Sequence, residues 1–332
     1  MTNHELDRTF CIAPMMGYTT PHARKLYRIL SKKAFLFTEM IPTKTMLNSK
    51  NRDLIIENHK ENPLALQVGG SEIKDLVKCA NIAQSYNYDE INLNVGCPSK
   101  AVQKGNFGAG LMKEPLLVKN CLSAMMETTD IKVSIKCRIG IGKKLDYDFF
   151  SNFINEISKS GVTIIYVHAR NAILTGISPK NNRTIPPLNY DFVTKIKEDF
   201  PDINFILNGG IDSIDKANFL TKEKGFDGVM VGRLIQNNPF SLMRVDKLFY
   251  NLDIEINQTE KIILEYFDYI KDKLENDSVF RLLSPLLGIF FGIPNSKKFK
   301  NDIHTNMKNQ KIDILESLFL KYVSENKLNL II

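Results

Sequence analysis

The sequence predicts an α/β fold in two parts: a (β/α)8 TIM barrel over residues 1–245 and a small all-helical domain over residues 246–332. Two observations predict the barrel. Segments with strand character alternate eight times with helical stretches, and each segment ends at a residue with useful chemistry. A third observation, the loss of this alternation after Arg233, predicts the helical domain. An open doubly wound sheet is the alternative, but it rarely needs eight units, and no G-x-G-x-x-G follows the first strand.

The barrel strands are predicted from eight short segments that alternate with helical stretches. They are Phe10–Ala13, Ala34–Thr38, Leu64–Val68, Glu90–Asn94, Lys132–Cys137, Ile164–His168, Asn204–Asn208 and Gly228–Val231. The clearest helices between them are predicted at Ser71–Ser85, with a serine cap, and at Asp146–Ser160. Both have an apolar face at helical spacing, as expected of helices that pack on a barrel.

The helical domain is predicted from amphipathic segments without strands between them. Asn238-Pro239 predicts the start of a helix that runs to about Tyr250, and residues 251–258 are expected to form a linker. Thr259–Leu274 and Ile312–Val323 each have an apolar face at helical spacing. We therefore expect a small helical bundle after the barrel.

Chemically capable residues lie at the ends of all eight predicted strands. In chain order they are Pro14, Met15 and Met16, Glu39, Gln67, Asn94 with Cys97, Lys136, His168, Asn208 with Gly209 and Gly210, and Gly232 with Arg233. Barrel enzymes place their active sites at the carboxyl ends of the strands and bind phosphate after strands seven and eight. The glycines at these two strands expose backbone N–H groups, and Arg233 adds a guanidinium. The sequence therefore favours a phosphate-bearing cofactor.

Lys136 and His168 each allow two interpretations. A lysine that faces the barrel interior must meet an anion or a carbonyl, because an unpaired buried ammonium is costly. Otherwise Lys136 points outward. His168 is either a ligand-binding residue or a hydrogen-bonded histidine of the core.

The composition is that of a soluble globular protein, with 43% hydrophobic and 24% charged residues. No apolar run approaches the ~18 residues of a membrane span, and the N-terminus lacks the apolar segment of a signal peptide. We therefore expect a cytoplasmic protein without membrane contact. We also expect a monomer, because nothing in the sequence requires a larger assembly. The five cysteines include no C-x-x-C pair, which argues against a disulfide framework and a metal site. The net charge of +7 permits nucleic-acid binding.

The most informative stretch is residues 89–112, DEINLNVGCPSKAVQKGNFGAGLM. Apolar residues alternate with asparagines at its start, which predicts a strand that ends at Gly96. Pro98 cannot donate to a sheet and keeps Cys97 out of helical geometry. A thiol on a kinked loop past a strand end can present one hydrogen to a ligand. A small buried structural cysteine is the alternative.

This stretch closely resembles the active-site loop of the tRNA-dihydrouridine synthases, specifically of their A-type subfamily. The resemblance rests on Asn-Leu-Asn-Val-Gly-Cys-Pro-Ser followed by Val-Gln-Lys-Gly-Asn-Phe-Gly-Ala, and it extends over nearly the whole chain. It implies bound flavin mononucleotide (FMN), with contacts from Pro14, Met15, Met16, Gln67, Lys136, His168, Asn208, Gly209, Gly210, Gly232 and Arg233. By the same resemblance, Lys136 lies against the pyrimidine edge of the flavin, and the residues at 208–210 and 232–233 hold its phosphate.

The resemblance also implies a reaction. NADPH or NADH reduces the flavin, and hydride then passes to C6 of a uridine in tRNA. Asn94 and Cys97 face the uracil, and Cys97 supplies the proton to C5, since a thiol is mostly protonated at neutral pH. The base must leave its stack to reach the barrel mouth.

Two basic clusters suit the RNA. Arg170, Lys180 and Arg183 lie in a loop that resembles the A-type signature loop, and residues 292–300, with Lys297 and Lys300, resemble a tRNA-binding motif of the family. From 297 to 311 there are five lysines against one aspartate, whereas residues 246–332 hold 12 lysines and arginines against 13 acidic residues. The resemblance implies the D-loop uridines 20 and 20a as targets.

Two other functions remain open from the sequence. An FMN barrel that acts on a free pyrimidine has similar chemistry, but it does not account for the lysine-bearing helical tail. A tRNA-binding protein with a vestigial flavin site does not account for the presence of Cys97, Lys136 and His168.

Overall fold

A computed structural model of the chain describes residues 6–50, 56–58, 60–252, 259–290 and 296–326. At its centre is a barrel of parallel strands whose apolar residues are buried. The strands are β1 (Phe10–Ile12), β2 (Leu36–Phe37), β3 (Ile41–Pro42), β4 (Leu64–Gly69), β5 (Glu90–Val95), β6 (Lys132–Arg138), β7 (Ile164–His168), β8 (Asn204–Asn208) and β9 (Gly228–Val231). Each of the eight predicted segments coincides or overlaps with one of them, so the predicted (β/α)8 barrel is confirmed.

The strands pair in the order β1-β9-β8-β7-β6-β5-β4-β2, all in parallel. The two ends of this order meet just before β2. The N–H of Ile12 donates to Phe35 O at 2.8 Å, and the N–H of Phe35 donates to Phe10 O at 2.9 Å, which closes the barrel. The short β3 pairs with β4 and is missing from the sequence prediction, because two residues are too few to show an alternation.

Helices follow the strands through the barrel and continue without strands after it. The α-helices are Pro21–Leu30, Thr43–Asn48, Ile73–Ser85, Lys100–Lys104, Pro115–Met126, Tyr147–Ser158, Tyr190–Asp199, Ile214–Lys222, Arg233–Asn237, Val245–Tyr250, Thr259–Lys273, Val279–Leu283, Lys297–Lys308 and Ile312–Glu325. Short 3-10 helices lie at Gly108–Lys113, Asn181–Arg183, Pro239–Arg244 and Ser284–Phe290. Within the described residues, no helix is long and apolar enough to cross a membrane.

The helix after β4 starts two residues later than predicted, at Ile73. Its N-cap is Glu72, whose side chain makes no capping hydrogen bond, so the predicted serine cap is wrong. The backbone N–H groups of Asp75 and Leu76 donate to Glu72 O. Ser71 therefore lies one residue before the cap position, where its hydroxyl does not serve the first turn.

The predicted helix that ends at Tyr250 consists of two segments, a 3-10 helix at Pro239–Arg244 and an α-helix at Val245–Tyr250. Asp246 in the second segment is fully buried and accepts a hydrogen bond from the backbone N–H of Lys32 at 2.7 Å. Residue 246, predicted to begin the helical domain, is therefore packed against the turn that follows the first barrel helix.

The C-terminal helices pack around a group of aromatic side chains. These are Phe267, Phe290, Phe299, Phe319 and Tyr322, with ring centroids 4.6–5.8 Å apart in neighbouring pairs. His22 of the first barrel helix joins this part to the barrel, since its ring nitrogens lie 2.7 Å from the Tyr269 hydroxyl and 2.8 Å from the Asp277 carboxylate. Most of the predicted linker, and residues 292–295 of the predicted tRNA-binding motif, lie outside the described residues.

Candidate active site

A cavity of about 470 Å³ opens at the carboxyl ends of the strands, within the range of small-molecule sites. Most of the predicted site residues line it. They are Pro14, Met15, Met16, Gln67, Asn94, Cys97, Lys136, His168, Arg183, Asn208, Gly209, Gly210, Gly232 and Arg233. Residues from seven of the eight predicted strand ends therefore meet in one place, as parallel strands of a closed barrel require.

Cys97 is held on a short, well-anchored loop after β5. The Oδ1 atom of Asn94 accepts hydrogen bonds from the backbone N–H groups of Gly96 at 3.2 Å and Cys97 at 3.0 Å. The Cys97 carbonyl accepts from the N–H of Ala109 at 2.9 Å. Gly108, with φ +75°, permits this approach, because a Cβ there would lie 2.5 Å from Cys97 O. Cys97 is the half-buried cysteine of the chain, and the other four are buried.

Lys136 projects from β6 into the cavity rather than outward. Its Nζ donates to the Oδ1 atom of Asn208 at 3.0 Å, and Asn208 Nδ2 donates to Met230 O at 2.7 Å. Burial lowers the pKa of Lys136 to about 8, and the nearby Arg138 guanidinium adds to this effect. The side chain is therefore a cation that gains from an electron-rich ligand.

His168 lies at the end of β7 and faces the same cavity. Burial, together with the positive charges of Arg138 and Lys136, holds the pKa of His168 well below its usual range. The imidazole is thus neutral at neutral pH, which lets it donate one hydrogen bond and accept another.

The glycines after β8 shape the opposite end of the cavity. Gly209 and Gly210 have φ values of +117° and +66°, which a residue with a Cβ rarely adopts. A Cβ on Gly210 would lie 2.3 Å from a methyl carbon of Leu188. Arg233, immediately after Gly232, lines this region with Arg183, so bare backbone and two guanidinium groups face the same space. Such a set can hold a phosphate group.

Arg138 also lines the cavity and is absent from the sequence prediction. Its Nε donates to Gly96 O at 3.0 Å, and its Nη1 donates to Asn171 O and Asn182 O at 3.0 and 2.9 Å. Burial lowers the pKa of Arg138 to about 10. The signal was present, because Arg138 follows Lys136 by two residues in one strand and must point to the same face.

Gln103 fixes the Cys97 loop from the other side and is likewise absent from the sequence prediction. Its Nε2 donates to Pro98 O at 2.8 Å and to Leu174 O at 2.9 Å. It therefore joins the loop after β5 to the loop after β7, which carries the basic residues near position 180.

Three residues of that second loop were predicted to contact RNA, and they are placed differently. Arg170 is buried, and its Nη1 donates to the carbonyls of Pro186 and Thr184, so its guanidinium holds the returning part of the loop. Its contact with RNA stays a prediction. Lys180 and Arg183 are exposed, and Arg183 also lines the cavity.

Lys297 and Lys300 lie in the first turn of the helix Lys297–Lys308 and are exposed. Phe299 between them packs on Tyr322, with the ring centroids 4.8 Å apart, and thereby orients this turn of the helix. Among the described residues, no group of three or more His, Cys, Asp or Glu side chains could hold a metal ion.

Comparisons with known proteins agree on one family. A family model described as "Dihydrouridine synthase (Dus)" matches residues 11–324. The chain is similar to the tRNA-dihydrouridine(20/20a) synthase of Shewanella oneidensis, with 42% identity over 302 residues, which are 91% of this chain and 89% of that protein. The protein of the same name from Vibrio parahaemolyticus is 40% identical over 89% of this chain and 90% of its own length. The one from Pseudomonas putida is 39% identical over 91% of both.

Proposed function

The chain belongs to the dihydrouridine synthase family, and we propose from this premise that it reduces the C5–C6 double bond of uridine at positions 20 and 20a of tRNA. The observation that carries the proposal is the meeting of the Cys97 thiol, the Lys136 ammonium and a glycine-lined anion site in one cavity. When bound in the cavity and reduced by NADPH, FMN supplies the hydride that C6 of the uridine accepts.

The residues of the cavity fit FMN. Gly209 and Gly210 line the cavity with bare backbone, because a Cβ on them would lie 2.7 Å from His168 and 2.3 Å from Leu188. Arg183 and Arg233 line the same cavity and provide the positive charge that a phosphate requires. Lys136 and Gln67 lie at the other strand ends, where they can hydrogen-bond to the polar edge of a flavin ring. The neutral imidazole of His168 adds a hydrogen-bonding group without adding charge to the cavity.

Cys97 is assigned the proton transfer. Addition of hydride at C6 leaves an electron pair at C5, which must take a proton from a group on the other face of the base. Asn94 fixes the Cys97 backbone through two hydrogen bonds, and Arg138 holds Gly96, so the thiol has a defined position in which to act as a general acid. After the transfer, the thiolate takes a proton from water.

The helical part and the basic loop are assigned to tRNA. Lys297 and Lys300 are exposed on one helix turn, and Lys180 and Arg183 are exposed beside the cavity, so both can contact phosphates. Uracil reaches the cavity only when it leaves its stack, and the positions 20 and 20a, which the relatives' names carry, are in a loop where unstacking costs little.

The direct cellular test is to map dihydrouridine in tRNA from cells with and without this protein. We expect positions 20 and 20a to become unmodified uridine in its absence and other dihydrouridines to remain. Unchanged modification at both positions, in cells without a second enzyme of this type, would contradict the proposal.

A further inference from the structure

A chain of buried polar side chains runs through the barrel interior from Arg8, before β1, to Asn94, below Cys97. Arg8 pairs with the Glu90 carboxylate at 2.6 and 2.8 Å. Ser134 donates to the same carboxylate, and Asn92 Nδ2 donates to the Ser134 hydroxyl at 2.7 Å. Gln67 Nε2 then donates to Asn92 Oδ1 at 2.7 Å, and Asn94 Nδ2 donates to Gln67 Oε1 at 2.8 Å. Glu90, Asn92 and Ser134 are fully buried.

The charge at one end of this chain sets the direction of every hydrogen bond in it. An ionised carboxylate only accepts, so the Ser134 hydroxyl must donate to Glu90 and accept from Asn92. Asn92 therefore turns its nitrogen to Ser134 and its oxygen to Gln67. Gln67 in turn must present its nitrogen to Asn92 and its oxygen to Asn94.

The hydrogen-bond direction that Glu90 sets extends as far as the loop that carries Cys97. With its nitrogen given to Gln67, Asn94 turns its oxygen toward the backbone N–H groups of Gly96 and Cys97, which need an acceptor. If the Asn94 amide were reversed, its NH₂ group would face these two donors, and both would lose their acceptor.

We propose that Glu90 is a positioning residue for Cys97 and acts through Ser134 and the amides of Asn92, Gln67 and Asn94. Neither Glu90 nor Ser134 lines the cavity, so they are not catalytic residues. The inference rests on the proposed function only in taking Cys97 as the reacting thiol. Its test needs neither FMN nor tRNA and therefore succeeds or fails independently of that function.

The test is the rate at which iodoacetamide alkylates Cys97 in FMN-free protein, followed by mass spectrometry of its peptide. Ser134→Ala removes the hydroxyl that links Glu90 to Asn92 and leaves the Arg8–Glu90 pair in place. Ser31→Ala is the matched control, because Ser31 is also a fully buried serine whose hydroxyl donates to a buried carboxylate, that of Asp246. The four buried cysteines of the same samples report any general loosening of the fold.

We expect Ser134→Ala to raise the alkylation rate of Cys97 about two- to tenfold, the effect of removing one hydrogen bond that supports the loop, while the buried cysteines stay unreactive. Ser134→Thr, which keeps a hydroxyl, should restore the wild-type rate, and Ser31→Ala should not change it. Glu90→Gln should behave like Ser134→Ala, since the new amide can donate to Ser134 and allow the hydrogen bonds from Ser134 to Asn94 to reverse their direction.

Three results would each overturn the proposal. One is a wild-type Cys97 rate in folded Ser134→Ala and Glu90→Gln. Another is an equal rise in Ser31→Ala, and the third is a rise shared by all five cysteines. Each would mean that the polar chain supports only the fold. In turnover assays, the positioning role predicts a lower kcat for Ser134→Ala with an unchanged KM for tRNA.

Discussion

The Nζ atom of Lys136 donates to the Oδ1 atom of Asn208 across 3.0 Å, which links β6 to β8 at the carboxyl end of the barrel. A neutral amide compensates only in part for the loss of water around an ammonium, and burial accordingly lowers the pKa of Lys136 to about 8. The free protein thus holds a cation that is only partly compensated. A ligand with an electron-rich edge relieves this cost, and we assign that role to FMN.

The first prediction is that Lys136→Met makes the FMN-free protein more stable at pH 7. Lysine has a pKa near 10.4 in an unfolded chain and about 8 in this fold, so the unfolded state binds more protons between these values. The charged form therefore destabilises the fold below pH 8, and stability rises with pH from about 8 to 10.4. Thermal melts at pH 7 should show the gain, at most about 3 kcal/mol, which disappears by about pH 10.4. A lower melting temperature for FMN-free Lys136→Met would contradict it.

The second prediction concerns the pH dependence of FMN binding. The Lys136 ammonium is the form that stabilises an electron-rich flavin edge, so FMN should bind more weakly as pH rises from 7 to 9, through the pKa of about 8. Lys136→Met should bind FMN about 10- to 100-fold more weakly at pH 7, the usual effect of a charged hydrogen bond, and lose this dependence. Fluorescence titration measures both. A wild-type affinity that is flat from pH 7 to 9 would show that Lys136 does not contact the flavin.

The third prediction distinguishes a role of Gly210 in phosphate binding from the general cost of placing a side chain at a positive φ. Gly210→Ala introduces a Cβ 2.3 Å from Leu188 at φ +66° and should yield protein that purifies without FMN, whereas the wild type should release FMN and not FAD on denaturation. Gly142→Ala is the control, because Gly142 also has a positive φ, +85°, but open space around its Cβ position. Gly142→Ala should lose about 1 kcal/mol of stability and keep its FMN. Flavin absorbance per protein decides between them, and full FMN content in Gly210→Ala would place the phosphate elsewhere.

The fourth prediction assigns RNA contacts to the helix Lys297–Lys308. Changing Lys297 and Lys300 to alanine should weaken tRNA binding and reduce its log–log salt slope by about one unit for each phosphate that the helix no longer binds. Lys74 and Lys78, exposed on the barrel helix Ile73–Ser85, form the control pair with the same change in net charge. Binding isotherms at several salt concentrations measure the slope. If both double variants behave alike, the effect is one of general charge, and the RNA is held by other residues such as Lys180 and Arg183.

The barrel and the place of its active site follow from the sequence because they depend on local patterns. Polar residues at strand ends can be recognised in the sequence, and closure of the barrel is enough to bring them together. The turn at Cys97 follows from the Gly96 and Pro98 that bracket the cysteine, because these neighbours restrict its backbone. The contacts that anchor the loop do not, since Arg138 lies on β6 and Gln103 also binds Leu174 in the loop after β7.

Other features depend on contacts between distant segments and could not be predicted in this way. The sequence suggests that Arg170 is an exposed basic residue, but the loop returns and places the carbonyls of Thr184 and Pro186 against its guanidinium. The interior chain from Glu90 to Asn94 needs the register of β5 and β6, which sets Asn92 beside Ser134. Neither the returning loop nor the register is encoded in a local pattern of residue types.

The most direct measurement for the whole account is dihydrouridine formation at positions 20 and 20a by purified protein with FMN, NADPH and an unmodified tRNA transcript. Cys97→Ala should bind FMN and be reduced by NADPH at the wild-type rate but form dihydrouridine about 10²- to 10⁴-fold more slowly, the usual contribution of a positioned acid. Cys137→Ala is the control, since burial raises the pKa of Cys137 to about 12 and keeps its thiol away from ligands; it should retain activity. Normal dihydrouridine formation by Cys97→Ala, or its loss in Cys137→Ala alone, would contradict the assignment of Cys97 as the proton donor.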